Sequence, residues 1–210
     1  NISIVGTDLA GNTGKEVSIN NIIYDITPPE FVEIIPTSDS YINEADISYT
    51  LTETLAEGKI FFENIGGTND PKRTHVITLA GSKKTKGQQG GKLPKSFVSL
   101  VSGAKYNIIF EGNDEAGNQA PETKMENIVF DNESPILDIT DPLSNSFINK
   151  KLISVSISED LFEGSLILEQ TSGKKDPNSP HKIILDDDSR KMGVLEDIIF
   201  PEMAPKVQPK

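Results

Sequence analysis

The strongest constraint on this chain is an internal repeat. SYINEADISYTLTETLAEGKIFFE at 40–63 returns as SFINKKLISVSISEDLFEGSLILE at 146–169, and NDPKRTHVITL at 69–79 returns as KDPNSPHKIIL at 175–185. Within these segments the offset is 106 residues, without a gap. Where residues change they mostly keep their class: Tyr49 becomes Val155, Leu51 becomes Ile157 and Ile60 becomes Leu166. A packed face tolerates such swaps because volume and apolar character survive. A fixed period of this kind marks one structural unit copied along the chain.

A second echo sets the frame. Asp8 to Pro29 reads DLAGNTGKEVSINNIIYDITPP, and Asp114 to Pro135 reads DEAGNQAPETKMENIVFDNESP. Asp8 and Asp114 are 106 residues apart, as are Asp25 and Asp131. Each stretch reads as a strand end, a tight turn, a strand and a Pro-marked exit. The array is therefore cut out of phase with its repeat.

Within a unit the hydrophobic period is two. Ile47, Tyr49 and Leu51 alternate with Ser48, Thr50 and Thr52, which predicts a strand buried on one face. Similar runs predict strands at 1–5, 17–24, 31–35, 59–62, 76–79, 97–101, 106–110 and 128–130. Residues 66–71 and 81–92, GGTNDP and GSKKTKGQQGGK, read as polar loops, the second expected to be mobile. Pro28 and Pro29 cannot donate to a ladder and stiffen the chain, so they mark a boundary. The expected division is a closing hairpin at 1–28, one complete domain at 29–134, and a truncated domain at 135–210. That last domain is expected to have a divergent tail after Leu185 and either to lack its final two strands or to take them from elsewhere. Units of this size bury modest cores, which suits small sandwiches better than one large enzyme fold. In Leu100-x-x-Gly103-x-x-Tyr106 the tyrosine fits either a tyrosine corner, its hydroxyl bonded back to the preceding backbone, or a plain core residue.

The totals exclude several classes. A net charge of −12 argues against nucleic acid, whose binding relies on a basic face, and against an anionic membrane surface. No run is long and apolar enough to insert into a membrane. Cysteine is absent, so disulfides and thiolate metal sites are out. No Ser/Cys–His–Asp constellation and no Gly-rich phosphate loop stands out. His75 and His181 occupy equivalent repeat positions, as do Glu53 and Glu159. Each pair is therefore one feature copied rather than a catalytic pair, and the histidine reads as a strand-start residue bonded to a loop. Asp186, Asp187 and Asp188 read as a charged loop.

The ligand set the chain offers is Asp8, Asp25, Asp114 and Asp131, hard carboxylates at domain ends of the kind Ca²⁺ takes. The competing reading is that each aspartate caps its own turn or ends a strand.

These residues resemble a family. Leu100, Gly103 and Tyr106, then Asp114, Gly117 and Asn118, then Phe130, Asp131 and Pro135 look like bacterial immunoglobulin-like repeats. Asp8, Gly11, Asn12, Tyr24, Asp25 and Pro29 repeat the pattern in the first segment. The resemblance runs to about residue 185 and implies an all-β fold of tandem immunoglobulin-like β-sandwich repeats. Such repeats occur in very long surface and secreted proteins. It therefore implies an extracellular or cell-surface, non-catalytic spacer or stalk whose partners are neighbouring repeats. The alternatives are an adhesive module that takes glycan or surface protein through loops 66–73 and 81–92, or an accessory domain of a secreted enzyme.

Overall fold

The structure, a computed structural model, describes residues 1–93, 98–150 and 152–199. It divides into two compact units, Asn1–Glu133 and Ser134–Lys210.

Unit 1 opens with a hairpin, β1 (Ile2–Ile4) and β2 (Val17–Ile19), paired antiparallel. The sandwich follows. Its smaller sheet has the order β3-β5-β8, from Phe31–Ile35, Asp46–Leu51 and Gly87–Lys92. The larger has the order β4-β10-β9-β6-β7, from Tyr41–Ile42, Thr123–Phe130, Ala104–Asn113, Glu57–Gly67 and Thr74–Thr78. The period-two pattern fixes what lies between the sheets. Ile47, Tyr49 and Leu51 of β5 are buried against Ile60, Phe62, Tyr106, Ile108 and Phe110 from β6 and β9. Phe31, Tyr49 and Phe110 form an aromatic centre with ring centroids 5.3–5.8 Å apart, at tilted and edge-on angles that suit aromatic quadrupoles.

Three expectations need correction here. Residues 81–92 are not a mobile loop: Gly81–Lys84 is a 3₁₀ turn, and Gly87–Lys92 pairs with the whole of β5 from Leu51↔Gly87 to Asp46↔Lys92. A polar edge strand of Gly, Gln and Lys carries no apolar alternation to read, because its backbone makes the ladder. Residues 66–71 are only partly a loop, since β6 runs through Gly66 and Gly67. Gly67 has φ +69°, and a Cβ there would lie 2.3 Å from the Gly103 carbonyl oxygen, so only glycine fits. The expected strand at 97–101 is absent from Val98 to Val101, and Phe97 lies outside the described residues. Val98, Leu100 and Val101 still pack on the core, but the Val101 amide bonds to a side chain rather than to a ladder.

Unit 2 contains β11 (Leu137–Asp141), β12 (Leu152–Ile157), β13 (Ser165–Leu168), β14 (His181–Ile184) and β15 (Gly193–Ile199). Its sheets are β11-β12-β15 and β13-β14. The details follow the 106-residue offset. β3 and β11 share bounds, as do β5 and β12. Thr52 Oγ1 accepts the Glu30 amide and Ser158 Oγ accepts the Ile136 amide, both at 2.8 Å. A Cβ on Gly58 would press on Leu55 and Leu79, and one on Gly164 on Leu161 and Leu185. The tail that diverges in sequence keeps its place in the fold, because β15 pairs with β12 as β8 pairs with β5. Among the described residues only β14 pairs with β13.

Candidate metal centre

Two polar groupings stand out, one inside unit 1 and one at the entry to its sandwich. The inner one is built on Asp70, which is buried. Tyr106 donates its hydroxyl proton to Asp70 Oδ2 at 2.6 Å, and His75 Nε2 donates to the same oxygen at 2.7 Å. The Lys72 amide donates to Oδ1 at 2.9 Å. The Tyr106 oxygen in turn accepts the Val101 amide at 3.0 Å, so the residue makes the backward bond of a tyrosine corner and adds a carboxylate to it. Burial by itself would raise the Asp70 carboxyl, but the donations from Tyr106, His75 and the Lys72 amide outweigh it and hold it below the usual range. Burial, then the bond to Asp70, pushes the Tyr106 hydroxyl up. The trio pins the 68–73 loop to the core. Asp176 and His181 repeat the pair at 2.7 Å in unit 2.

The second grouping is acidic. Asp25, Glu53 and Asp114 each direct a carboxylate oxygen to a common point, with all three oxygens within 4.8 Å of one another. Asp25 ends the segment that leads out of β2, Glu53 follows β5, and Asp114 follows β9. Three chain-distant loops thus meet where the first hairpin enters the sandwich. Asn118 ties the junction further by donating its side-chain amide to the Asp25 carbonyl at 3.2 Å. Pro29 is fully buried just beyond.

Of the four aspartates picked out in the sequence, the fold brings together Asp25 and Asp114. Asp8 and Asp131 stand outside the group. Asp8 holds its own turn, accepting the amides of Ala10 and Asn12 on Oδ1 and the Asn12 side chain on Oδ2 at 2.8–2.9 Å. Those bonds, led by the Asn12 side chain, hold its carboxyl below the usual range. Asp114 makes the same turn with Asn118, at 2.8 Å to both backbone and side chain. Burial would raise the Asp114 carboxyl, yet the Asn118, Ala116 and Gly117 donors hold it low. Asp131 Oδ1 is taken by Ser102 Oγ and the Glu133 amide. So the turn-capping reading holds for Asp8, while Asp114 both caps a turn and joins the cluster. Glu53 is the member that sequence reasoning passed over. It follows Thr52, whose hydroxyl accepts the Glu30 amide at the domain entry, a contact that only the fold reveals.

Three carboxylates with this spacing suit a hard divalent cation such as Ca²⁺, which relieves their repulsion and takes its other oxygens from carbonyls and water. The Asp25 carbonyl, already turned into the junction, belongs to the same loop.

Two sheets sharing one core, antiparallel except where β4 pairs in parallel with β10, together with a tyrosine corner and Asp-capped hairpins, define a small sandwich module of the immunoglobulin class. A family model described as "Bacterial Ig-like domain (group 3)" matches residues 1–126, and the chain belongs to that family. Among solved structures it is similar to the crystal structure of chicken CNTN1 FN1-FN3 domains, at 13% identity and a TM-score of 0.34. That alignment covers 94% of this chain and 64% of the other. No curated protein matches it.

Proposed function

We propose that this chain is a non-catalytic spacer, a stalk segment of a bacterial surface or secreted protein, whose domain junctions are stiffened by Ca²⁺. The observation that supports it is the convergence of Asp25, Glu53 and Asp114 within unit 1, where the segment leaving the first hairpin meets the sandwich. A cation there cross-links the hairpin's exit to two loops of the sandwich and removes the swivel a short linker would otherwise allow. The family match supports the surface setting, since such modules commonly belong to surface proteins. No helix of the described residues is long and apolar enough to cross a membrane.

The test is thermal unfolding in calcium and in chelator. A cation bound only by the folded form, at about 100 times its Kd, adds about 2.7 kcal/mol, which raises Tm by several degrees. Glu53→Gln should remove most of that difference while leaving the chelator melt in place. Identical melts for the unaltered chain in the two conditions sink the calcium junction. The adhesive reading gains no support from the fold, since Gly87–Lys92, half of one of its two expected loops, is a strand paired into the sheet.

A further inference from the structure

The two sheets of the unit 1 sandwich end in β3, β8, β4 and β7. Three of these edges are blunted. β3 carries a register shift between Val32 and Ile35 and runs into Pro36. β4 is two residues long, and β8 is half glycine and ends in Lys92. Shifts, shortness, Pro and Lys are the usual guards against a strand adding to an edge. β7 has none of them. Thr74–Thr78 reads THVIT, without Lys, Arg, Asp, Glu, Pro or Gly, and pairs with β6 from Glu63↔Thr74 to Lys59↔Thr78 with no shift. Among the described residues its other side is unpaired. The Asn64 amide bonds to the Arg73 carbonyl and the Leu79 amide to the Gly58 carbonyl, which fixes the phase of the ladder. His75 and Ile77 therefore turn their amides and carbonyls to β6, and Thr74, Val76 and Thr78 turn theirs to the free side. The Thr74 amide is taken up locally by the Lys72 carbonyl.

The copy of this edge in unit 2 is guarded. At the places of Thr74, Val76 and Thr78, 106 residues on, stand Pro180, Lys182 and Ile184. The first has no amide to offer, and the second puts a charge in the middle of the edge. Lys182 faces Ile167 of β13 as Val76 faces Phe61 of β6, so the two positions are structurally equivalent. One repeat position is thus a guard in one unit and a bare edge in the other. The contrast lies in the residues themselves, whatever number of strands each unit holds.

We propose that two copies of this chain join through β7, antiparallel and centred on Val76, so that their large sheets run on into each other. The edge reads the same from both ends: Val76 meets Val76, and Thr74 meets Thr78 on either side. A two-fold contact needs this self-match, which favours a second copy over an unrelated peptide. Across the axis the two Val76 residues exchange amide and carbonyl, and each Thr78 amide reaches the partner's Thr74 carbonyl. The side-chain rows agree. Val76 is 47% exposed and stands in one row with the half-buried Phe61 and Ile109, so two apolar trios meet end to end. In the rows beside it, Glu63 next to Thr74 comes into line with the partner's Lys59 next to Thr78, twice by symmetry. The same pairing in unit 2 sets Lys182 against Lys182, and like charges directly opposite destabilise a ladder.

Sedimentation of the full chain across a wide concentration range tests this. The mean mass should climb from one copy to two and stop there, because a two-fold contact closes on itself. Pairing should come more readily at higher salt, since each copy carries −12. Val76→Lys, which installs the residue of the guarded copy, should hold the chain at one-copy mass, with the melt of a dilute sample unchanged. The chain has no cysteine, so single-cysteine variants report position cleanly. Under mild oxidation Val76→Cys should give a disulfide dimer, since paired residues of this kind lie about 5.5 Å apart at Cα, within disulfide reach. Lys182→Cys, at the equivalent place in unit 2, should stay a one-copy thiol. One-copy mass at every concentration overturns the proposal. So does a dimer that survives Val76→Lys, or equal cross-linking of the two cysteine variants.

Discussion

The two units place the same Asp–His contact in different surroundings. Asp70 and His75 have side chains 3% and 2% exposed and share a third partner, Tyr106. Asp176 and His181 meet at the same 2.7 Å but stand 10% and 12% exposed, and the other donor to that carboxylate is the Asn178 amide at 2.9 Å. The contact itself is therefore a local product of loop and strand start, formed in both units. Its burial is not local, because it depends on the strand that lies across it. The same holds on a larger scale. β5 and β12 each form the centre of a three-stranded sheet and bury the same three positions. β6 pairs on both edges, with β7 and β9, whereas among the described residues β13 pairs with β14.

The comparison can be broken by substitution, beginning with the largest effect. Phe110→Ala should destabilise unit 1 by about 3–5 kcal/mol, the usual result of emptying a packed aromatic site. Ile4→Ala, at the equivalent place in the first hairpin, should change dilute-solution stability by less than about 0.5 kcal/mol. Urea unfolding of both reads the contrast, and similar losses would mean that β1–β2 is already packed in the single chain.

Asp70→Asn should cost about 3 kcal/mol because two buried donors lose a charged acceptor. Asp176→Asn should cost about 1 kcal/mol, the net value of one partly solvated bond. The pH dependence carries the sign. Folding lowers the Asp70 carboxyl, so at mildly acid pH the unfolded chain binds more protons. The stabilisation is complete above the ordinary aspartate value near 3.8 and is lost as pH falls through the lower folded value. Acid unfolding of the unaltered chain should steepen in that range, and the Asp70→Asn variant should lose the Asp70 share. An unchanged acid limb would assign the effect to other carboxylates.

A smaller difference separates two glycines at equivalent positions. Gly67 and Gly173 both have positive φ, +69° and +92°. A Cβ on Gly67 meets the Gly103 carbonyl at 2.3 Å, while one on Gly173 has only a flexible Gln170 side chain at 3.8 Å. Gly173→Ala should cost about 1 kcal/mol of backbone strain, and Gly67→Ala a further 1–2 kcal/mol for displacing backbone. Equal costs would mean that β6 and β9 can separate freely at that end.

Much of this fold was legible in the chain. Alternation at Ile47, Tyr49 and Leu51 and at their copies specified one buried face, because strand side chains switch sides at every residue. Asp and Asn four apart, followed by an apolar run, specified the capped hairpins, since those bonds span a few residues only. The Tyr106 spacing allowed a corner or a plain core residue, and the bond from the Val101 amide, just ahead of its strand, makes it a corner. The candidate site was half legible. Asp25 and Asp114 carried a signal as aspartates at domain ends, but nothing in the sequence set Glu53 beside them or left Asp8 and Asp131 apart.

What the tertiary structure alone decided has one physical cause, closure between distant segments. Gly87–Lys92 is a strand because β5 offers it a ladder, and no side-chain pattern records that offer. The tail after Leu185 loses the sequence match yet takes the same edge, since backbone hydrogen bonds do not depend on side-chain identity. Asp25, Glu53 and Asp114 converge because an exit segment, a strand end and a turn meet at one pole of the sandwich. The opening repeat determined the unit and its buried face. Only the assembled sheets determined which copies of that unit are covered and where their carboxylates meet.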